Sequence, residues 1–179
     1  QVHQDLLERY PDLLTIIVPR HPERGSDTQR DIEGLGLTAS RRGGGEALDA
    51  GTTIYIADTL GEMGLWYRLA PVVFVGKSLV GTGGQNPLET ARLNCALIFG
   101  PSMANFEQIS EDLLSCGAAR RVTDQVGLCA ALADLLGDHE LRKKMERAGL
   151  DYCAAGGEAL AKTMTNLEPL LMAVEARHD

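Results

Sequence analysis

Positive charge is in deficit along this chain. Seventeen Lys and Arg stand against 25 Asp and Glu, a formal net charge of −8 over 179 residues. That balance argues against a protein that coats nucleic acid, although it leaves room for a local cationic pocket. Aromatic residues make up only 4%, too few for a stacking platform along single-stranded nucleic acid. The four cysteines, Cys95, Cys116, Cys129 and Cys153, form no C-x-x-C pair and have no histidine at ligand spacing. The usual zinc patterns and a disulfide framework are therefore excluded, and a reducing compartment is expected. No apolar run reaches the 18 or so residues of a membrane span, and the opening residues carry no apolar leader core. What remains, 44% hydrophobic and 23% charged residues, is the composition of a globular domain large enough to need no metal or disulfide staple.

Short apolar runs alternate with amphipathic stretches. Residues 2–10 place Val2, Leu6, Leu7 and Tyr10 on one helical face, and 13–18 (LLTIIV) is a β-branched run ended by Pro19. Further strands are expected at 37–39, 53–57, 72–75, 96–99 and 120–122. Between them, helices are expected from Ser26 (a capping-box pair with Gln29), at 62–68, from Pro87, from Phe106, and from a Thr123 cap to Leu136. Two more helices are expected at 139–153 and 157–174, and the 41–45 loop (RRGGG) reads as mobile. Strands alternating with helices at this spacing predict a single doubly wound α/β domain over residues 1–179, with a parallel sheet covered on both faces. Gln1 opens directly inside a helix, which suggests a piece of a longer protein.

In such a sheet, ligands bind where the carboxyl ends of strands meet loops. Three segments occupy those positions. The run 19–24 (PRHPER) stiffens a loop with two prolines and gathers Arg20, His21 and Arg24; a guanidinium offers paired donors to phosphate. The alternative is a surface turn in which Arg20 or Arg24 pairs with Glu23. The run 58–63 (DTLGEM) offers Gly61 for close backbone approach, whereas Thr59 and Glu62 alone have capping-box spacing. The run 76–89 (GKSLVGTGGQNPLE) leaves room for phosphate near its glycines. It matches neither a P-loop nor a dinucleotide fingerprint. Asn86, Pro87 and Glu89 make a helix cap, and Glu89 could equally accept the hydroxyls of a ribose. Asn105 is either a helix cap or part of a pocket rim. His3, His139 and His178 read as solvated, and Arg142 to Lys144 as a solvated helix face. No Ser-His-Asp or Cys-His set can be assembled.

Taken in order, PRHPER, DTLGEMGLWY, G-x-SLV-x-x-GGxNPLE and FGP-x-x-x-NF resemble the C-terminal domain of the 3-deoxy-D-manno-octulosonic acid (Kdo) transferases, over nearly all of residues 2–175. The resemblance implies the C-terminal, Rossmann-like half of a GT-B glycosyltransferase that binds CMP-Kdo. The acceptor, a lipid A precursor, would be taken by an N-terminal domain outside this chain, which would also supply the general base. It implies lipopolysaccharide biosynthesis at the cytoplasmic face of the bacterial inner membrane, membrane association through the N-terminal part, and no metal or other cofactor. By position, Pro19 and Arg20 would lie against the CMP, and Leu60, Gly61 and Glu62 would contact the nucleotide. Asn86, Pro87, Leu88 and Glu89 would sit beneath ribose and phosphate, and Ser78 would reach the donor.

The chain departs from the family pattern at Lys77, which replaces the second glycine of GGSL, and at Gln85, which stands where a histidine is frequent. A first strand upstream of Val2 is also expected to be outside the chain. An exposed apolar strip (Leu160, Met164, Leu167, Leu171) is expected to favour self-association. The competing readings are another GT-B UDP-sugar transferase or 2-epimerase domain, and a non-catalytic nucleotide-binding module.

Overall fold

The computed structural model describes residues 1–81 and 83–175, with side chains described through residue 156 and at Leu167. The elements run α1 (Val2–Leu7), β1 (Thr15–Ile17), α2 (Gly25–Gly34), β2 (Ala39–Arg41), β3 (Ile54–Ile56) and α3 (Met63–Leu69). They continue with β4 (Val72–Phe74), α4 (Pro87–Arg92), β5 (Ala96–Phe99), α5 (Glu107–Ser115), β6 (Ala119–Arg121), α6 (Gln125–Gly137) and α7 (His139–Glu175). Short 3-10 turns at Pro22–Arg24 and Ala104–Phe106 lead into α2 and α5.

Every strand pairing is parallel, as the βαβ spacing requires. Hydrogen bonding groups the strands into two three-stranded sheets, ordered β1-β3-β2 and β4-β5-β6. The strands of the expected single sheet thus fall into two separately hydrogen-bonded parallel groups. Helix α1 joins the two halves: it packs on α6, His3 Nδ1 lies 2.8 Å from Thr15 Oγ1 at the start of β1, and the Tyr10 hydroxyl donates to the Ala133 carbonyl at 2.9 Å.

The middle strand of each sheet is buried on both faces, which is why its residues read as continuous apolar runs rather than alternating ones. Ile54 and Ile56 of β3 point toward Ile32 of α2, while Tyr55 points the other way, to Trp66 of α3. The Tyr55 and Trp66 rings meet edge-on with centroids 5.7 Å apart. In β5, Leu97 and Phe99 face a cluster with Ala91 and Leu113, and Ala96 and Ile98 face one with Leu128, Leu135 and Met145.

Several local expectations are corrected. Pro22 begins the chain's turn early, so α2 starts at Gly25 and Ser26 is already inside it; Gln29 instead donates to the Ala39 carbonyl and to Glu46. The cap of α6 is Asp124, which accepts from Gly127 N at 2.7 Å, not Thr123. Strand β2 begins two residues later than expected. The two C-terminal helices are one, α7, because glycine lowers helix propensity by about 1 kcal/mol without removing a backbone donor. His3 is half-buried rather than solvated, and that burial pushes its pKa down. Of the apolar strip on α7, Leu167 is exposed; Leu160, Met164 and Leu171 lie outside the described side chains.

One clasp fixes the upper rim of the second sheet. Ser78, fully buried after β4, donates to the Val75 carbonyl and accepts from Gly100 N at 2.8 Å. Its own carbonyl accepts from Ser102 N at 2.8 Å. Gly100 is obligatory in this arrangement, because a Cβ there would stand 2.3 Å from Ser78 O and 2.5 Å from Leu79 Cα. Ser78→Ala leaves the buried Gly100 N–H unpaired and should cost about 1–3 kcal/mol. Urea denaturation should show a lowered midpoint with an unchanged slope.

Candidate functional site

Parallel pairing puts the loops after β1 and β3 on one rim of the first sheet and those after β4 and β5 on one rim of the second, and the contact of Arg20 with Gln85 brings the two rims together. Three of these loops enclose a cleft of about 270 Å³ lined by Arg20, Lys77, Gly84, Gln85, Asn105 and Phe106. Arg20 leaves β1 just beyond Pro19, and its Nη1 donates to Gln85 Oε1 at 3.0 Å across 65 residues of sequence. That bond aims the guanidinium into the cleft. Glu23 pairs with His21 at 3.4 Å rather than with an arginine. Neither Arg20 nor Lys77 has a carboxylate within 4 Å among the described residues, so the cleft holds two uncompensated cations in an acidic protein.

Asn86 follows Gln85 directly and caps α4, its Oδ1 accepting from Leu88 N at 3.0 Å. Pro87 is buried, Leu88 half-buried and Glu89 exposed. Among the described residues the Glu89 side chain has no hydrogen-bond or ion-pair partner, so Asn86 alone performs the capping that the sequence pattern shared between them. Asn105 lies in the turn Ala104–Phe106, at the rim of the cleft. Ser78 is close in sequence, but its hydroxyl is consumed by the clasp and has no exposed surface to offer a ligand.

Leu60, Gly61 and Glu62 stand on the same rim, outside the lining of this cleft. Leu60 is 83% exposed, and Gly61 has φ +82°, which favours glycine. Glu62 is engaged by the 41–45 loop. Arg42 Nη2 and Nε donate to its two carboxylate oxygens at 2.7 and 3.2 Å, and the Thr59 hydroxyl donates to it as well. The Arg42 guanidinium also lies over the Trp66 ring, 5.9 Å from its centroid, a cation–π contact.

Beside this pair, the buried Asp58 carboxylate accepts from Gly43 N at 2.6 Å and meets Arg41 at 2.6 Å. A Cβ at Gly25 would stand 2.0 Å from the same carboxylate. The loop expected to be mobile is therefore tied down at Arg41, Arg42 and Gly43. Sequence reasoning missed Arg42; only its fork of donors, suited to a carboxylate, was there to be noticed.

Arg42 and Thr59 together hold the Glu62 carboxyl below the usual carboxylate range. The folded state favours the ionised form, so the linked stabilisation is present above the unfolded carboxyl's pKa of about 4.3 and fades as pH falls through the depressed folded value. A carboxyl-carbon NMR titration should place the Glu62 midpoint below that of exposed glutamates, and Arg42→Gln should raise it.

No protein-family model matches the chain. Among curated proteins it is 32% identical to the 3-deoxy-D-manno-octulosonic acid transferase of Haemophilus influenzae over 170 residues, covering 94% of this chain and 40% of that protein. It is 33% identical to the enzyme of the same name from Bordetella pertussis over 163 residues, covering 90% and 38%. The chain thus spans about 40% of the length of these relatives. Among solved structures it is similar to the C-terminal CMP-Kdo binding domain of WaaA from Acinetobacter baumannii, with 34% identity, a TM-score of 0.70 and coverage of 82% of this chain and 79% of that one. The C-terminal domain of the glycosyl transferase group 1 protein LpcC from Francisella tularensis, at 19% identity and a TM-score of 0.61, covering 86% and 74%, shares the fold. The chain belongs to the Kdo transferase family.

Proposed function

We propose that this chain is the donor-binding domain of a glycosyltransferase that moves Kdo from CMP-Kdo to a lipid A precursor. The observation that carries the reading is the cleft at the carboxyl rim, lined by both Arg20, oriented by Gln85, and Lys77, with no carboxylate within 4 Å of either among the described residues. Support comes from the 34% identity to a domain described as CMP-Kdo binding. In this reading Arg20 holds the phosphate through paired charge-assisted donors, and Glu89 accepts hydrogen bonds from the ribose hydroxyls. The Pro19 ring and the Leu60–Gly61–Glu62 turn close on the nucleotide, with Glu62 kept in place by Arg42. Ser78 acts one step removed, by holding the loop that carries Lys77.

As CMP departs, negative charge grows on the phosphate, and a cation already in position stabilises that change without reorganisation. The described lining of the cleft holds no carboxylate or histidine to act as the base that activates the acceptor. The base, the lipid acceptor site and attachment to the cytoplasmic face of the inner membrane belong, in this proposal, to parts of the protein beyond residues 1–179. No helix among the described residues is long and apolar enough to cross a membrane. The isolated chain should accordingly bind CMP without transferring Kdo.

Glu89 separates ligand from scaffold. Since Asn86 already caps α4, Glu89→Ala should leave stability within about 0.5 kcal/mol. It should weaken CMP binding by about 1.5–3 kcal/mol, the range for hydrogen bonds to a charged group. Calorimetry with CMP and its 2′,3′-dideoxy analogue checks this: the analogue should lose affinity against wild type and lose little further in the variant. Unchanged CMP affinity in Glu89→Ala would remove Glu89 from the site, and tighter binding of UMP than of CMP would defeat the cytidine assignment.

A further inference from the structure

We propose that Lys77 makes the cleft a receptor for two anionic groups at once, with Arg20 taking the phosphate and Lys77 the carboxylate of the activated sugar acid. The inference rests on the donor-binding reading and assigns a residue that this reading leaves without a task. Lys77 follows β4 and lines the same 270 Å³ cleft as Arg20, Gln85 and Asn105. Its backbone has φ +61°, in the left-handed region where a residue with a Cβ is disfavoured and glycine is the natural occupant. A lysine in that conformation is held there by its surroundings. The neighbouring Ser78 clasp to Val75 and Gly100 supplies the constraint.

Electrostatics point the same way. In a chain of net charge −8, two cations share a small cleft and neither meets a carboxylate among the described residues. They repel each other, and a ligand with a single charge relieves only part of that repulsion. A nucleotide-activated 2-keto sugar acid carries its carboxylate and its phosphate oxygen on the same anomeric carbon. The two negative groups are therefore neighbours, and the two cations line one cleft. The geometric requirements also differ: Arg20 is fixed by Gln85 and suits the forked phosphate contact, whereas Lys77 is a flexible point charge that suits a carboxylate whose position varies with the sugar ring.

The test compares two ligands by calorimetry: CMP methyl ester, a phosphodiester with one charge, and CMP-Kdo, which adds the carboxylate. Lys77→Met removes the charge at the same position, and Lys77→Arg restores it. Lys77→Met should weaken CMP-Kdo at least tenfold while changing CMP methyl ester less than threefold, and Lys77→Arg should recover most of the loss. Lys77→Gly, which suits the left-handed backbone, should raise the melting temperature yet show the same selective loss of CMP-Kdo. Equal weakening of both ligands would place Lys77 on the phosphate and overturn the proposal, as would no change in either. If wild type binds neither ligand, the donor-binding reading fails and this inference falls with it. If wild type binds both and only the Lys77 variants disobey, the donor-binding reading stands and the Lys77 assignment alone is lost.

Discussion

The cleft depends on a close approach between two loops. Ser78 and Gly100 bring the chain after β4 against the chain after β5 so tightly that no Cβ fits between them. The buried hydroxyl satisfies one backbone donor and uses one backbone acceptor to hold that contact. From this point Lys77 is lifted into the left-handed region, Gly83 N reaches the Ser102 hydroxyl at 3.1 Å, and Gly84 and Gln85 are delivered opposite Asn105 and Phe106. Arg20 then crosses from the other sheet to Gln85. The site is assembled from segments far apart in sequence because parallel pairing puts the carboxyl ends of each sheet on one rim.

The first sheet supplies a second, differently built part of the same rim. Its charged residues are paired: Arg41 with Asp58, and Arg42 with Glu62. The exposed Arg42–Glu62 contact acts mainly as a tether, since solvent screens such pairs. The Asp58 carboxylate is buried, and it is satisfied by the Gly43 amide as well as by Arg41, as a buried charge requires. A carboxylate-rich but internally paired region thus stands beside a cleft whose cations are unpaired. An anionic ligand meets attraction at the cleft, while the neighbouring Asp58 and Glu62 carboxylates are already paired.

The architecture was legible in the sequence where burial dictates composition. The runs at 54–56 and 96–99 are buried on both faces, and no other local structure accommodates them as well. Positions that depend on tertiary partners were not legible. Ser26 and Gln29 carry a capping pattern, yet the turn begun by Pro22 overrides it. The break expected between helices 139–153 and 157–174 is one that α7 does not make. The division into two three-stranded sheets follows from pairing, which no local pattern encodes. At the site, Arg20 stood out because an arginine between prolines is unusual in an acidic chain, and Asn86 because its cap is local. The engagement of Glu62 by Arg42 spans 20 residues, and the burial of Ser78 arises from a contact 22 residues away. Family resemblance singled out both residues, but only the fold distinguishes the one held by a tether from the one consumed as scaffold.

The most direct test of the account is where CMP settles on the chain. Backbone-amide NMR spectra recorded through a CMP titration should show their largest shifts at Arg20, Gly61, Lys77, Gln85, Asn86, Leu88 and Glu89, with little change at the second cleft lined by Arg9, Tyr10, Asp12 and Leu136. A folded sample whose shifts fall on that second cleft, or whose spectrum does not respond to CMP, would contradict a donor site built on the carboxyl rim.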